Sequence, residues 1–444
     1  MDTPICGFLE SYRSSGTARL HMPGHKGVAF LGCEDLDITE ISGADSLYEA
    51  DGIIAQSEQN ATALFGSGKT VYSTEGSSQC IRAMLYLALT HRRAGTPPVV
   101  VAARNVHKAF VYAAALLDLQ VVWLWPEGGC SSICGCPVTA ESLEQTLAAL
   151  EAPPAAVYIT SPDYLGGMAD VEALARVCHR HGTMLAVDNA HGAYLHFLPQ
   201  PRHPLDLGAD LCCDSAHKTL PVLTGGAYLH LSTRICGEMA ADIKSAMALF
   251  GSTSPSYLTL ASLDRCNCYL AQDYPARLAD CIRRLEGVRQ TLRDTGWQVL
   301  ASDPLRITIQ APQGQTGISL GQRLRQGGVE CEYADPEFLV LMATPENPPE
   351  DLAKLPLLLG SAPGGVPLPA NLPQARAKQV VSMRDALFAP HQTIPASQAL
   401  GRICGTPTVG CPPAIPIAVS GERIGEAALE LFAHYGIEYV DVLK

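Results

Sequence analysis

The chain has 444 residues, of which 47% are hydrophobic and 17% charged. That balance excludes a disordered or fibrous protein, and at about 150 residues per domain it predicts two or three domains around a large core. A formal net charge of −13 leaves no general field for nucleic acid or an anionic membrane surface.

Two long stretches lack charge, Leu355–Ala375 and Ile403–Gly421, but they hold five and four prolines respectively, so neither predicts a spanning helix. The N-terminal MDTPICGFLESYR carries acids and no apolar run of the secretory type. Sixteen cysteines scattered along such a chain read as reduced cytoplasmic thiols. CSSICGC, with Cys130, Cys134 and Cys136, has a metal-like spacing but no second ligand pair, and reads as a loop. Cys178, His179 and His181 fall on the predicted helix 171–181 and read as packing and surface positions. No metal site is expected.

Residues 1–60 are mixed and glycine-punctuated, as in an arm or extension. From 61 to 275 short β-rich runs alternate with helical patterns: TVYST (70–74), VVVAA (99–103), QVVWLW (120–125), AAVYIT (155–160), TMLAVD (183–188), DLCCDS (210–215) and GAYLHL (226–231). Strands separated by helices of ten or more residues predict a mostly parallel, seven-stranded sheet. Such sheets place ligands at the carboxyl ends of their strands. Residues 276–444 change pattern and read as a smaller α+β domain.

Four segments follow predicted strands. After TVYST, Glu75-Gly76-Ser77-Ser78 opens a helix; glycine and two hydroxyls at a helix N-terminus suit a phosphate, or form a simple cap. After VVVAA comes His107, as cap or ring-stacking residue. After TMLAV, Asp188 ends its strand and opens DNAHGAY. After DLCCD comes SAHKTL, where Lys218 lies in an apolar, glycine-rich stretch beside Ser215 and His217; confinement there favours its neutral, nucleophilic form. Phosphate cup, ring-stacking histidine, strand-end acid and buried lysine together are the parts that a pyridoxal phosphate site needs.

HMPGHKG (21–27), ADSLYEADGIIAQSEQNATALFGS (44–67), STEGSS (73–78), RNVHKA (104–109), DNAHGAY (188–194), SAHKTL (215–220), STSPSYLTLASLD (252–264) and PPAIP (412–416) occur in the order found in the Orn/Lys/Arg decarboxylase family. The chain resembles that family's short form, without an N-terminal receiver-like domain. The resemblance implies a fold type I, aminotransferase-like α/β large domain with pyridoxal 5'-phosphate, and decarboxylation of lysine, ornithine or arginine to an amine in the cytoplasm, as in polyamine biosynthesis. It assigns the imine-forming lysine to Lys218, the pyridine-nitrogen acid to Asp188 and ring stacking to His107 and Ala190. Phosphate binding falls to Gly76, Ser77, Ser78, Ser215 and His217, and contact with a neighbouring subunit's site to Thr253 and Ser254 in a homodimer with composite active sites. His25 and Lys26 are expected near the entrance.

Glu75, Asp45, Glu49 and Asp163 are candidates for a substrate's distal cation, each also readable as structural. The sequence departs from the family at Glu75, where a neutral residue is usual, at Thr406, where an acid is usual, and at Cys411 and Ala414, which replace Tyr and Gly. Another reaction of the same cofactor, such as transamination or aldol cleavage, is the alternative; for transamination Arg306, Arg384 and Arg402 are available to hold an α-carboxylate. A third reading is a non-enzymatic paralogue, against which the retained Lys218, Asp188 and His107 argue.

Overall fold

The computed structural model describes residues 1–128, 131–364, 371–409 and 413–444; the expectations for Cys130 and Cys411 fall outside them. Seven strands, β1 (Lys69–Ser73), β2 (Val99–Ala103), β3 (Gln120–Leu124), β4 (Ala156–Thr160), β5 (Met184–Asp188), β6 (Leu211–Asp214) and β7 (Ala227–Leu231), form one sheet in the order β1-β7-β6-β5-β4-β2-β3. This is the mixed α/β architecture expected. The apolar, β-branched runs are buried along nearly their whole length, as strands covered on both faces must be.

The chain divides into two compact units. The first comprises 1–91 and 184–277. In it β5 and β6 run parallel, whereas β7 runs antiparallel to both β6 and β1. The sheet is therefore mostly parallel, with one reversed strand. That reversal has a consequence: Gly225 and Gly226, which precede β7, arrive beside the carboxyl end of β1. Gly76 N–H donates to Gly225 O at 2.7 Å. Gly225 adopts φ +95°, and a side-chain carbon there would meet Thr74 O at 2.6 Å, so only glycine fits the approach.

Helix α1 (Pro4–Ser14) is tied down by Asp264, whose Oδ2 accepts from Ile5 and Cys6 N–H at 3.0 Å each. Helix α2 (Ile53–Leu64) starts on Asp45, whose Oδ2 accepts from Gly52, Ile54 and Ala55 N–H while Oδ1 takes Ser46 and Asp51. Burial opposes the charge on Asp45, but these backbone donors outweigh it and lower its pKa. Helix α3 (Ser77–Thr90) packs its apolar residues beneath β6 and β7.

The second unit comprises 92–183 and 278–444. There β2 pairs in parallel with β3 and β4, and α4 (Lys108–Leu116), α5 (Ala140–Ala148) and α6 (Val171–Arg180) follow β2, β3 and β4 in turn. Thr139 and Asp170 cap α5 and α6 through their side chains. A four-stranded antiparallel sheet built on 298–299, 306–310, 333–334 and 338–342 is flanked by helices Gly317–Gln326 and Pro349–Leu359. A further core gathers Ala399, Cys404, Ile424, Phe432 and Val442. Among the described residues no helix is long and apolar enough to cross a membrane.

Candidate active site

In the first unit the carboxyl ends of β1, β5 and β6 deliver the site. Gly76, at φ +73°, opens α3 with no side chain capping it, and the space where a side-chain carbon would stand is open. A long helix whose first N–H groups receive no side-chain oxygen is a prepared anion site. Ser77 and Ser215 converge there from two strand ends, Oγ to Oγ at 2.8 Å. These features fit a phosphate group. Glu75 does not oppose it as its charge suggests, because its carboxylate is turned to accept from Ser252 N–H. The same contact anchors the exposed segment holding Thr253 and Ser254.

Asp188 is buried at the end of β5, with Oδ1 accepting from Ala190 N–H at 3.1 Å. A short helix, α7 (Ala216–Thr219), carries His217 and Lys218 directly after β6. His217 Nδ1–H donates to Gly226 O at 3.1 Å, and burial lowers its pKa, so the ring is a neutral, oriented group. Lys218 Nζ lies 2.7 Å from Nε2 of His191. His191 stands within DNAHGAY, yet sequence spacing does not reveal which side chain the lysine meets.

Asp214 is a second residue that the sequence reading passed over. Its Oδ2 accepts from His203 Nε2 at 2.9 Å and His230 Nε2 at 3.2 Å, and its Oδ1 from Asn189 Nδ2 at 2.7 Å, all four residues being fully buried. Burial would raise its pKa, but the two histidines outweigh that and hold the carboxyl well below its usual range. These three groups lie close enough together to suggest a metal site. However, Leu205 N–H donates to His203 Nδ1 at 3.3 Å, which leaves the ring proton on Nε2, pointing at Asp214. That is a hydrogen-bonded cluster rather than a ligand set. It ties Asn189, next to Asp188, to Asp214, next to Ser215.

In the second unit His107 caps α4, with Nδ1 accepting from Ala109 N–H at 3.1 Å. Lys108 N–H donates to the carbonyl of Ala414, which adopts φ +60°, in the region that favours glycine. Thr406 Oγ1 donates to Asp441 at 3.0 Å. Asp163 builds its own turn: Oδ1 accepts from Leu165 and Gly167 N–H at 2.9 and 2.7 Å, and burial pushes its pKa up to about 6.

The remaining acid and base candidates are engaged structurally. Asp45 is the α2 cap described above, and Glu49 accepts from Ser46 Oγ at 2.6 Å. His25 pairs with Asp37 at 3.2 Å, and Lys26 Nζ donates to His21 O. Cys134 Sγ lies 3.9 Å from the Tyr333 hydroxyl, and Cys136 Sγ donates to Leu124 O at 3.5 Å. All fourteen described cysteines are free thiols. His181 pairs with Glu144 at 2.6 Å.

The sequence profile described as "Orn/Lys/Arg decarboxylase, major domain" matches residues 3–344. An uncharacterized Bacillus subtilis protein, YaaO, is 29% identical over 97% of this chain and 93% of its own length. An arginine decarboxylase of Bacillus anthracis is 27% identical over 97% of this chain and 92% of its own. The solved structure of lysine decarboxylase A from Pseudomonas aeruginosa superposes with a TM-score of 0.82 at 18% identity, covering 99% of this chain and 80% of that one. The chain belongs to the Orn/Lys/Arg decarboxylase family.

Proposed function

We propose that the protein is a pyridoxal phosphate-dependent decarboxylase of a basic amino acid, lysine, ornithine or arginine, acting in the cytoplasm as a homodimer and supplying amines of the polyamine class. The observation that carries this reading is the joint placement of Lys218, Asp188 and the Ser77–Ser215 pair at the carboxyl ends of β1, β5 and β6, with an uncapped helix N-terminus. Bound pyridoxal phosphate supplies an electron sink for the charge left at Cα when CO2 departs. Ser77, Ser78, Ser215 and the N–H groups of α3 bind its phosphate, with Gly76 giving close approach. Asp188 holds a proton at the pyridine nitrogen, and burial keeps water from competing for that carboxylate. Lys218 provides the amine and returns a proton to Cα. His107 and Ala190 take the two faces of the ring in this reading, and Thr253 and Ser254 serve the partner's site.

The proposal divides the chain into an arm over 1–60, a cofactor domain over 61–275 and a small domain over 276–444. Transamination is less well supported, because the arginines it would use are engaged elsewhere. Arg306 is buried against Asp303 at 2.9 Å, Arg384 donates to Leu116 O, and Arg402 to Leu443 O.

Mass-spectrometric analysis of products tests the reading. The cofactor-saturated protein, given lysine, ornithine, arginine and neutral amino acids together, is expected to yield cadaverine, putrescine or agmatine. Keto acids without amine products would replace it with transamination.

A further inference from the structure

We propose that His191 is the proton acceptor that converts Lys218 from an ammonium to a nucleophilic amine. This rests on Lys218 being the imine-forming lysine of the preceding section. A lysine ammonium has three donors and no lone pair, so it cannot attack a carbonyl until a base takes a proton. His191 Nε2 stands 2.7 Å from Nζ, and the residue is 6% exposed. At that separation in a poorly hydrated site two cations repel strongly, so the pair holds one excess proton rather than two.

The backbone is built to keep the ring there. Gly192 N–H donates to Asn189 O at 2.8 Å, and a side-chain carbon at Gly192 would strike Asn189 Oδ1 at 2.0 Å. Asn189 is itself held by Asp214. His191 therefore sits on a turn fixed on both sides.

The step balances as follows. The proton passes from Nζ to Nε2, giving a neutral amine and an imidazolium. The amine adds to the aldehyde carbon; one of its two N–H protons and the proton stored on His191 pass to the oxygen, which leaves as water as the C=N bond forms, and the imine nitrogen keeps the other N–H proton while His191 returns to its neutral form. No oxidant or reductant is required.

The test mixes cofactor-free protein with pyridoxal phosphate and follows the growth of the visible imine absorbance, using wild type, His191→Ala, His191→Gln and Lys218→Ala. His191→Ala and His191→Gln are expected to slow imine formation by about 10²-fold, the usual scale for a lost general base. Binding of pyridoxamine phosphate, which forms no imine, should be unchanged, and added imidazole should recover much of the rate in His191→Ala. A wild-type rate in either variant, or a loss that imidazole leaves untouched while pyridoxamine phosphate still binds, overturns the proposal. Visible absorbance persisting in Lys218→Ala would instead overturn the lysine assignment beneath it.

Discussion

Ser77 Oγ lies 2.8 Å from Ser215 Oγ although 138 positions separate them. One hydroxyl stands at the first turn of α3 and the other just beyond β6, so the pair marks where a phosphate would complete both. Hydrogen bonds to a charged group contribute about 1.5–3 kcal/mol each. Ser77→Ala and Ser215→Ala are accordingly expected to weaken pyridoxal phosphate binding by roughly 10- to 100-fold in a fluorescence titration, with circular dichroism unchanged. Undiminished affinity in both variants would place the phosphate elsewhere.

Lys218→Ala is expected to abolish the visible imine absorbance of the cofactor-loaded protein, with circular dichroism unchanged, because the substitution removes the amine that stands 2.7 Å from His191 Nε2. An unaltered spectrum would show that another amine carries the cofactor.

The Asp214 cluster predicts acid sensitivity. Asp214 has a depressed pKa in the folded chain, so its contribution is present above the ordinary carboxylate range and lost as pH falls through it. Burial also lowers the pKa of His230, so the unfolded chain binds a proton there first, and stability declines as pH drops below about 6.5. Both groups act in the same direction. Asp214→Ala leaves two buried histidine donors without their acceptor and should cost about 3–5 kcal/mol in chemical denaturation at neutral pH. A cost near zero there would show that the cluster does not hold β6 and β7.

Asp163 carries the opposite sign. Burial holds its folded pKa at about 6, above the ordinary 3.8 of an aspartate, so ionisation costs stability as pH rises between these limits. Asn at this position keeps the carbonyl acceptor for Leu165 and Gly167 N–H and removes the charge. Asp163→Asn should therefore stabilise the protein by about 3 kcal/mol at pH 7 and by little at pH 4. Equal stability of the two proteins at both pH values would mean that the carboxylate is solvated.

Much of the site was legible because its parts are local. The Gly76-Ser77-Ser78 turn, Asp188 at a strand end and His107 at a helix start each follow from a strand signal and the few residues after it. Asp188 at the end of its strand and His107 at the start of its helix are found where they were read. Ala414, a non-glycine residue, occupies a left-handed conformation. By contrast, the role of Glu75 could not be read from its neighbours. Its charge pointed at the phosphate cup, but rotation about its own side-chain bonds brings it to Ser252, far away in sequence.

The order of apolar runs, glycines and polar strand ends determined the α/β class and the motif residues, because period and turn chemistry act over only a few positions. Only the tertiary structure decided that β7 runs antiparallel, bringing Gly225 against Gly76, and that His191 meets Lys218 while His203 and His230 meet Asp214. Those contacts join segments whose separation along the chain carries no periodic signal. They are selected by the need to satisfy buried donors and charges once the strands have packed.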